Sequence, residues 1–461
     1  MRKAIVGRSV LAAALLLLVG ATASWSGDWS RFRGPNGLGE SPDPTPTPVE
    51  WSETKNLKWK VALPGPGLSS PIIVGDRIFV TCWSGYAADA KQPGSQEDLK
   101  RHLLCLDRQS GKPLWSKAVD PVLPEEPFRG MFAENGYASH TPASDGERVF
   151  VFFGKTGVLA FDMDGGQLWQ TSVGTDNDWR GWGSASSPIL YKNLVIVPAT
   201  VESHSLVALD KQTGAVVWRK EAEGFGSTWG TPVLVDLPDG RQELVLSVPF
   251  EIWGFNPDTG KLLWYCESNE ADSACSSVIA HDGIVYSIEG RNGGSIAIRA
   301  GGEGNVAKTH VVWSGRDRGR IGTPAYHDGR LYSIGGGIAN CLDATTGKQI
   351  YQARIKRSGG AEDAGANEGP RGGGRGGFGG FGGMLGGQDY SSPVIADGKL
   401  YYVMRSGETV VLKLSDSFEQ LAVNRFASDA GNYSATPAIV DGELFIRSNA
   451  FLYCVSKKTG K

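Results

Sequence analysis

The chain has little of what a metal or nucleophilic site is built from. Six histidines are scattered through 461 residues, none at metal-ligand spacing and none paired with a nucleophile. Its six cysteines include no adjacent pair and no C-x-x-C-H haem signature. Beyond the N-terminal region no apolar run approaches the roughly 18 residues of a membrane span. Sustained 3.6-residue periodicity is missing, which argues against a helical bundle. Charged residues make up 21% with a formal net charge of −3, so there is no global attraction to nucleic acid.

What the chain has in abundance is glycine, 64 residues, and a repeat. A Ser/Thr-Pro step or near copy opens the same phrase at Ser70-Pro71, Thr141-Pro142, Ser187-Pro188, Thr231-Pro232, Ser276-Ser277, Thr323-Pro324, Ser392-Pro393 and Thr436-Pro437. The fifth copy lacks its proline. From Pro71 to Pro437 is 366 residues over seven intervals, about 52 residues per repeat, which points to a radially repeated all-β fold.

Four strands are legible in each copy. Strand A follows Ser/Thr-Pro and turns at Asp145-Gly146, Asp282-Gly283, Asp397-Gly398 or Asp441-Gly442, pairs that supply the positive φ of a tight hairpin. Strand B is rich in β-branched and aromatic residues, as in RIFV or KLYYV. Strand C reads L-x-A/C-L-D, and D-x-x-T-G turns it into strand D. The aspartates Asp107, Asp210 and Asp343 are read as bonding turn backbone. Strand D ends at Trp115, Trp169, Trp218, Trp264 and Trp313, with Tyr351 in the sixth copy, rings suited to packing between neighbouring sheets.

Cys105, Cys341 and Cys454 share one repeat slot with Ala160, Ala208, Gly254 and Ala297. They read as small buried packing residues. Cys266 and Cys275 flank one loop and could bridge.

The last copy ends where its strand D should begin, while NLKWKVAL carries Trp59 in the strand D position. The expectation is an all-β, eight-bladed propeller of four-stranded antiparallel blades, spanning 57–461. Residues 57–63 should complete the last blade and close the ring, removing exposed sheet edges. Residues 24–56 read as an extended lead-in, proline-rich after Ser41.

MRKAIVGRSVLAAALLLLVGATA has a basic start, a short apolar core and a small-residue end, the pattern of a secretory signal peptide cut near Ala23. Cleavage removes Arg2, Lys3 and Arg8 and no acids, taking the formal charge from −3 to −6. The expected product is soluble and monomeric, in the periplasm or outside the cell, with no membrane span and no nucleic-acid partner.

Insertions gather on the face of the B–C and D–A loops: 84–102, 120–139 and the glycine-rich 358–388, read as flexible. The turn of the fourth copy and GGEGNVAKTH after Arg299 are exceptions. Insertions on one face of a repeat fold mark a binding face. Residues just before each Ser/Thr-Pro should rim the central channel. The candidates there are Glu134, His140, Asp178, Arg180, Trp182, Trp229, Arg316, Arg320, Asp389, Tyr390 and Tyr433. Channel water alone explains polar side chains in such places. Aromatic residues mixed with arginine also suit a partner or ligand surface.

The D-x-x-T-G-x-x-L-W phrase resembles the PQQ-like β-propeller repeat family from about Leu57 to Lys461, and WSRFRGPNGLG is similar to a lead-in of its secreted bacterial members. The resemblance implies one of two branches. In quinoprotein dehydrogenases, PQQ lies beneath a disulfide of adjacent cysteines and over a Trp, with Ca2+ and a catalytic Asp. The other branch is non-catalytic and includes the outer-membrane protein assembly factor. Without an adjacent cysteine pair, the chain reads as an exported non-catalytic scaffold with protein partners in the cell envelope. No cofactor or catalytic residue is then expected. The alternative is a PQQ-dependent dehydrogenase with an atypical site, using PQQ and Ca2+.

Overall fold

The computed structural model describes residues 27–89, 91–268, 271–289, 294–317, 319, 321–358 and 388–457. The leader assigned to 1–23, and the glycine-rich segment apart from its ends, lie outside them.

Eight antiparallel sheets follow the repeat, one per copy. In blade 1 the strands are Ile72–Val74, Arg77–Ser84, Lys100–Asp107 and Pro113–Val119. Strands B and C run further into the first long loop than the sequence suggested, leaving 85–99 between them. The eighth blade takes its outer strand from Leu57–Ala62, which pairs antiparallel with Phe451–Val455 and sets Trp59 opposite Cys454. The closure expected from the missing last strand is therefore present.

The apolar core lies between neighbouring sheets. Ile72, Phe79 and Cys105 of blade 1, for example, pack with Val149, Val151 and Phe161 of blade 2. The strand D tryptophans tie the sheets together. Trp59, Trp115, Trp169, Trp218 and Trp313 donate Nε1–H to Arg108, Met163, Lys211, Pro257 and Ala344 carbonyls at 2.8–3.0 Å. Each acceptor follows the Asp or Asn that opens the C–D turn of the next blade. The turn glycine lies against the same indole: at Gly347, a Cβ would stand 2.5 Å from Trp313 while φ is +69°. Glycine is required there twice over, by handedness and by contact. The turn aspartates do bond backbone, as in Asp210 Oδ1 accepting from the amides of Gln212 and Thr213 at 3.0 and 2.9 Å.

The small slot faces the tryptophan across the C–D ladder, with Cys105 opposite Trp115 and Cys341 opposite Tyr351. None of the six cysteines is in a disulfide, so Cys266 and Cys275 do not bridge. Burial pushes the Cys105 thiol up to about 12, as fits an inert packing residue.

At the channel, one contact repeats from blade to blade. In the first seven blades the amide of the Ser/Thr before strand A donates to the hydroxyl of the same residue in the next blade. The series runs Ser70, Thr141, Ser187, Thr231, Ser277, Thr323, Ser392, Thr436, with each link at 2.9–3.0 Å. The fifth member is Ser277, followed by Val278, not Ser276. The sequence offered two serines and no proline there, and the register expected from Ser276-Ser277 is one residue early.

The lead-in is not a free tail. Trp29 bridges to Ile73 of blade 1, and Glu40 to Ile395 of blade 7. Between them the chain dips into the channel. Arg33, with φ of +63°, curls so that its guanidinium donates to the Thr323, Pro324 and Pro393 carbonyls. Trp51 then reaches Asn424 before the clasp strand begins. Because the lead-in crosses the A–B turns, it stops the channel from that side.

Candidate functional site

A cavity of about 540 Å³ occupies the other end of the channel. Phe32 of the lead-in forms part of its wall, and seven members of the hydroxyl ring surround it. Concave sites with a few convergent polar groups are the usual places for ligands.

One sector of the mouth is aromatic. Trp182 and Trp229 lie with ring centroids 4.8 Å apart at 32°, and Trp229 Nε1 donates to the Gly183 carbonyl at 2.6 Å. The Arg180 guanidinium carbon lies 5.3 Å from the Trp182 ring and 4.4 Å from Trp179, which is 71% exposed. Arg180 also bonds Ser227 Oγ at 2.7 Å and Asp272 at 3.0 and 3.2 Å. The local chain folds this way because Asp178, itself buried, accepts the amides of Arg180 and Trp182 at 3.1 and 2.7 Å. Asp178 thus shapes the loop and is not among the residues that line the cavity.

Tyr390 also lines the cavity, with the Arg405 guanidinium 5.5 Å from its ring. Arg405 forms an ion pair with Glu134 from the 120–139 insertion. Asp389 accepts Tyr402 Oη at 3.0 Å and the Arg405 amide at 2.8 Å, holding this sector together. The insertion itself is pinned by an aromatic cluster of Trp83, Phe128, Phe132 and Tyr137, and by the buried Arg101–Glu125 pair at 2.5 Å.

Three of the other rim candidates lie elsewhere. His140 is buried against Phe152 with Nε2 2.9 Å from Ser184 Oγ, and burial lowers its pKa to about 3. Tyr433 is fully buried in the core, its hydroxyl on Asp429 at 2.8 Å. Arg316 is exposed and is not among the lining residues. Arg320 falls outside the described residues. Arg180, Trp182, Trp229 and Tyr390 therefore meet at the cavity, with Glu134, Asp178 and Asp389 supporting them.

Sequence reasoning missed Phe32, Trp179, Arg405 and the hydroxyl ring. The ring's signal was in plain view as the Ser/Thr before each proline, read only as a marker of where a blade begins. Phe32 carried no signal, because nothing in a linear lead-in says that it enters the channel. Among the described residues no three His, Cys, Asp or Glu side chains converge to hold a metal ion.

A family model described as outer membrane protein assembly factor BamB matches residues 93–224 and 199–321. The structure of BamB from Moraxella catarrhalis is 11% identical and superposes with a TM-score of 0.57 over 88% of this chain and 98% of that one. A europium-containing methanol dehydrogenase is 12% identical with a TM-score of 0.64, over 94% and 98%. Tetrathionate hydrolase of Acidithiobacillus ferrooxidans is 22% identical over 342 residues, 68% of this chain; the match spans 63% of the hydrolase's own length. At these identities the likenesses show the fold. With its eight blades, its D-x-x-T-G turns under the preceding blade's tryptophan and the family model across its centre, the chain belongs to the PQQ-like β-propeller family.

Proposed function

We infer that the chain is an exported, non-catalytic binding propeller that grips a protein segment at the mouth of its channel. The observation that carries this reading is the Trp182–Trp229 pair, continued by Arg180 and the exposed Trp179, beside a cavity stopped by Phe32. Flat aromatic faces and a guanidinium held at low conformational cost are what protein-binding hot spots use. BamB is named as an outer membrane protein assembly factor, and its likeness supports a scaffold role in the cell envelope for this chain. Export rests on the basic start, short apolar core and Ala21-Thr22-Ala23 end of the leader. Among the described residues no helix is long and apolar enough to cross a membrane.

The described cavity does not fit PQQ with Ca2+. Calcium takes six to eight oxygen ligands, several of them carboxylates, and the acid among the lining residues, Asp272, is already paired with Arg180. The cysteine at the cavity, Cys275, has serine on its C-terminal side and alanine on its N-terminal side, so it offers no adjacent-cysteine disulfide.

The test is a photo-crosslinker placed at position 179 in the cell that makes the protein. A defined protein adduct, lost in the Trp182→Ala, Trp229→Ala double variant while the fold survives, supports the reading. Unchanged crosslinking in that variant moves the site elsewhere. Dye reduction with turnover after addition of PQQ and Ca2+ overturns the non-catalytic assignment.

A further inference from the structure

We propose that the throat of the channel, beneath the aromatic mouth, is an oxyanion site. Its donors are the ring hydroxyls. Thr141, Ser187, Ser277, Thr323, Ser392 and Thr436 each accept a neighbour's amide, and each lines the cavity. A hydroxyl that has spent one lone pair as acceptor still has its proton to give. Among the described residues none of these six gives that proton to a protein acceptor. The inter-blade link therefore fixes each oxygen in place and leaves a circle of O–H donors around one space.

The charge is supplied by two arginines. Arg33 is 1% exposed, and every bond it makes is to a carbonyl oxygen: Gly37, Leu38, Thr323, Pro324 and Pro393. Arg447 is also 1% exposed, with Nη1 on the Ser69 carbonyl and hydroxyl, Nη2 on the Thr81 carbonyl and Nε without a partner. Among the described residues neither forms a salt bridge with a carboxylate. Each hangs from a ring residue or from the neighbour of one: Thr323 and Pro393 for Arg33, Ser69 for Arg447. Buried charges are ordinarily paired, because an uncompensated one is costly. Arg33 is moreover held in a left-handed backbone conformation, φ +63°, which a non-glycine residue adopts only when its surroundings enforce it. Two cations with no carboxylate partner among the described residues, bonded to the backbone behind a circle of unused donors, are the complement of an anionic oxygen group.

Two carboxylates could oppose the anion: Asp272, which lines the cavity and is paired with Arg180, and Glu289, which accepts the Ser276 amide at 3.1 Å and Ser247 Oγ at 2.6 Å. Burial raises the Glu289 carboxyl to about 7, so below that pH it is neutral and does not repel an anion, while the Asp272 charge is offset by Arg180.

The ligand class is an oxyanion, either a free tetrahedral one or the carboxylate of a bound segment. This inference shares a cavity with the binding role above, but it concerns the throat and can fail separately. The test is calorimetric titration of the full chain at pH 6 with sodium sulfate and with sodium acetate, sodium chloride holding ionic strength constant. Saturable one-to-one binding of sulfate assigns a free oxyanion, and of acetate alone a carboxylate. Either should weaken tenfold or more in Thr141→Val, Ser392→Ala and in Arg33→Met, and stay within twofold in Lys192→Ala, which removes an exposed cation away from the cavity. Crystals of the unaltered protein soaked in selenate, the heavier analogue of sulfate, should show an anomalous peak within hydrogen-bond distance of the ring hydroxyls. If the arginine variant fails to fold, that peak decides the free-oxyanion case and the acetate titration of the hydroxyl variant decides the other. No heat beyond chloride with either salt, or selenate only on the outer surface with no acetate binding, overturns the site. The throat is then a water-filled pore, and the crosslinking result at position 179 stands on its own.

Discussion

Trp264 donates its indole Nε1–H to Glu243 Oε2 at 2.7 Å, where the other tethering tryptophans reach a carbonyl of the next blade. The fifth blade explains the exception. Its C–D turn is replaced by a longer insertion, in which Gly304 and Asn305 pair in parallel with Trp264 and Tyr265 and add a strand to blade 4. Glu243 is buried and also accepts the Gly301 amide at 3.0 Å, so one carboxylate replaces the missing turn. Trp264 consequently lies over its own strand C, where a Cβ on Gly254 would stand 2.1 Å from the indole.

Gly254→Ala should therefore destabilise the protein by about 2–3 kcal/mol through overpacking. The reverse change in an equivalent slot, Ala208→Gly, should cost only about 1 kcal/mol. Urea unfolding of the two variants checks the ranking. Equal losses would mean that Trp264 can move aside freely.

Ser187→Ala removes the hydroxyl that accepts the buried Thr141 amide at 3.0 Å. An orphaned donor of this kind costs about 1–3 kcal/mol, and Ser187→Thr should restore most of it. Hydrogen exchange at the Thr141 amide should speed up in the alanine variant alone.

Trp59→Leu deletes both the bond to Arg108 and the ring above Gly111. A loss of about 2–4 kcal/mol is expected. Exchange should rise first at 443–447 and 451–455, the strands that Leu57–Ala62 completes. Uniform loosening of all blades would argue against a local clasp.

Stability should fall with rising pH between about 4.5 and 7. Burial raises Glu202 and Glu289 from 4.5 to about 7. Both states are protonated below 4.5. Between the two values the unfolded chain has released protons that the folded one still holds, so the stability present at low pH is lost as pH climbs through the folded pKa. Replacing either residue with Gln should flatten the slope by up to one proton, about 1.4 kcal/mol per pH unit. An unchanged slope would show that the carboxyl ionises as freely folded as unfolded.

Tyr433→Phe should lower stability by about 1 kcal/mol, from the lost bond to Asp429, and leave partner crosslinking at position 179 intact. Reduced crosslinking in this buried-core variant would show that the mouth and the core of blade 8 are coupled.

The architecture was legible because a repeat states the same sentence many times, and its missing last strand pointed to Trp59. The site was less so. Tyr390 and Tyr433 look alike in sequence, each shortly before a Ser/Thr-Pro step. Tyr390 precedes Ser392 by two residues and Tyr433 precedes Thr436 by three, and in extended chain one residue reverses the facing of a side chain. The first ring reaches the cavity and the second the core. Ser277 shows the same one-residue sensitivity. Arg33 was illegible for another reason: its partners are backbone carbonyls 290 and 360 residues away, and a carbonyl has no letter in the sequence.

Lys58 and Glu443, paired across the clasp, are 385 residues apart in the chain. The outer strand of the last blade is thus made before the other strands of the ring, and its partner after them. Until Phe451–Val455 has been made, blade 1 has no neighbour on one side and Leu57–Ala62 has no sheet to join. Ring closure then waits for the eighth blade, and a product truncated before it exposes two sheet faces at once instead of yielding a smaller working molecule.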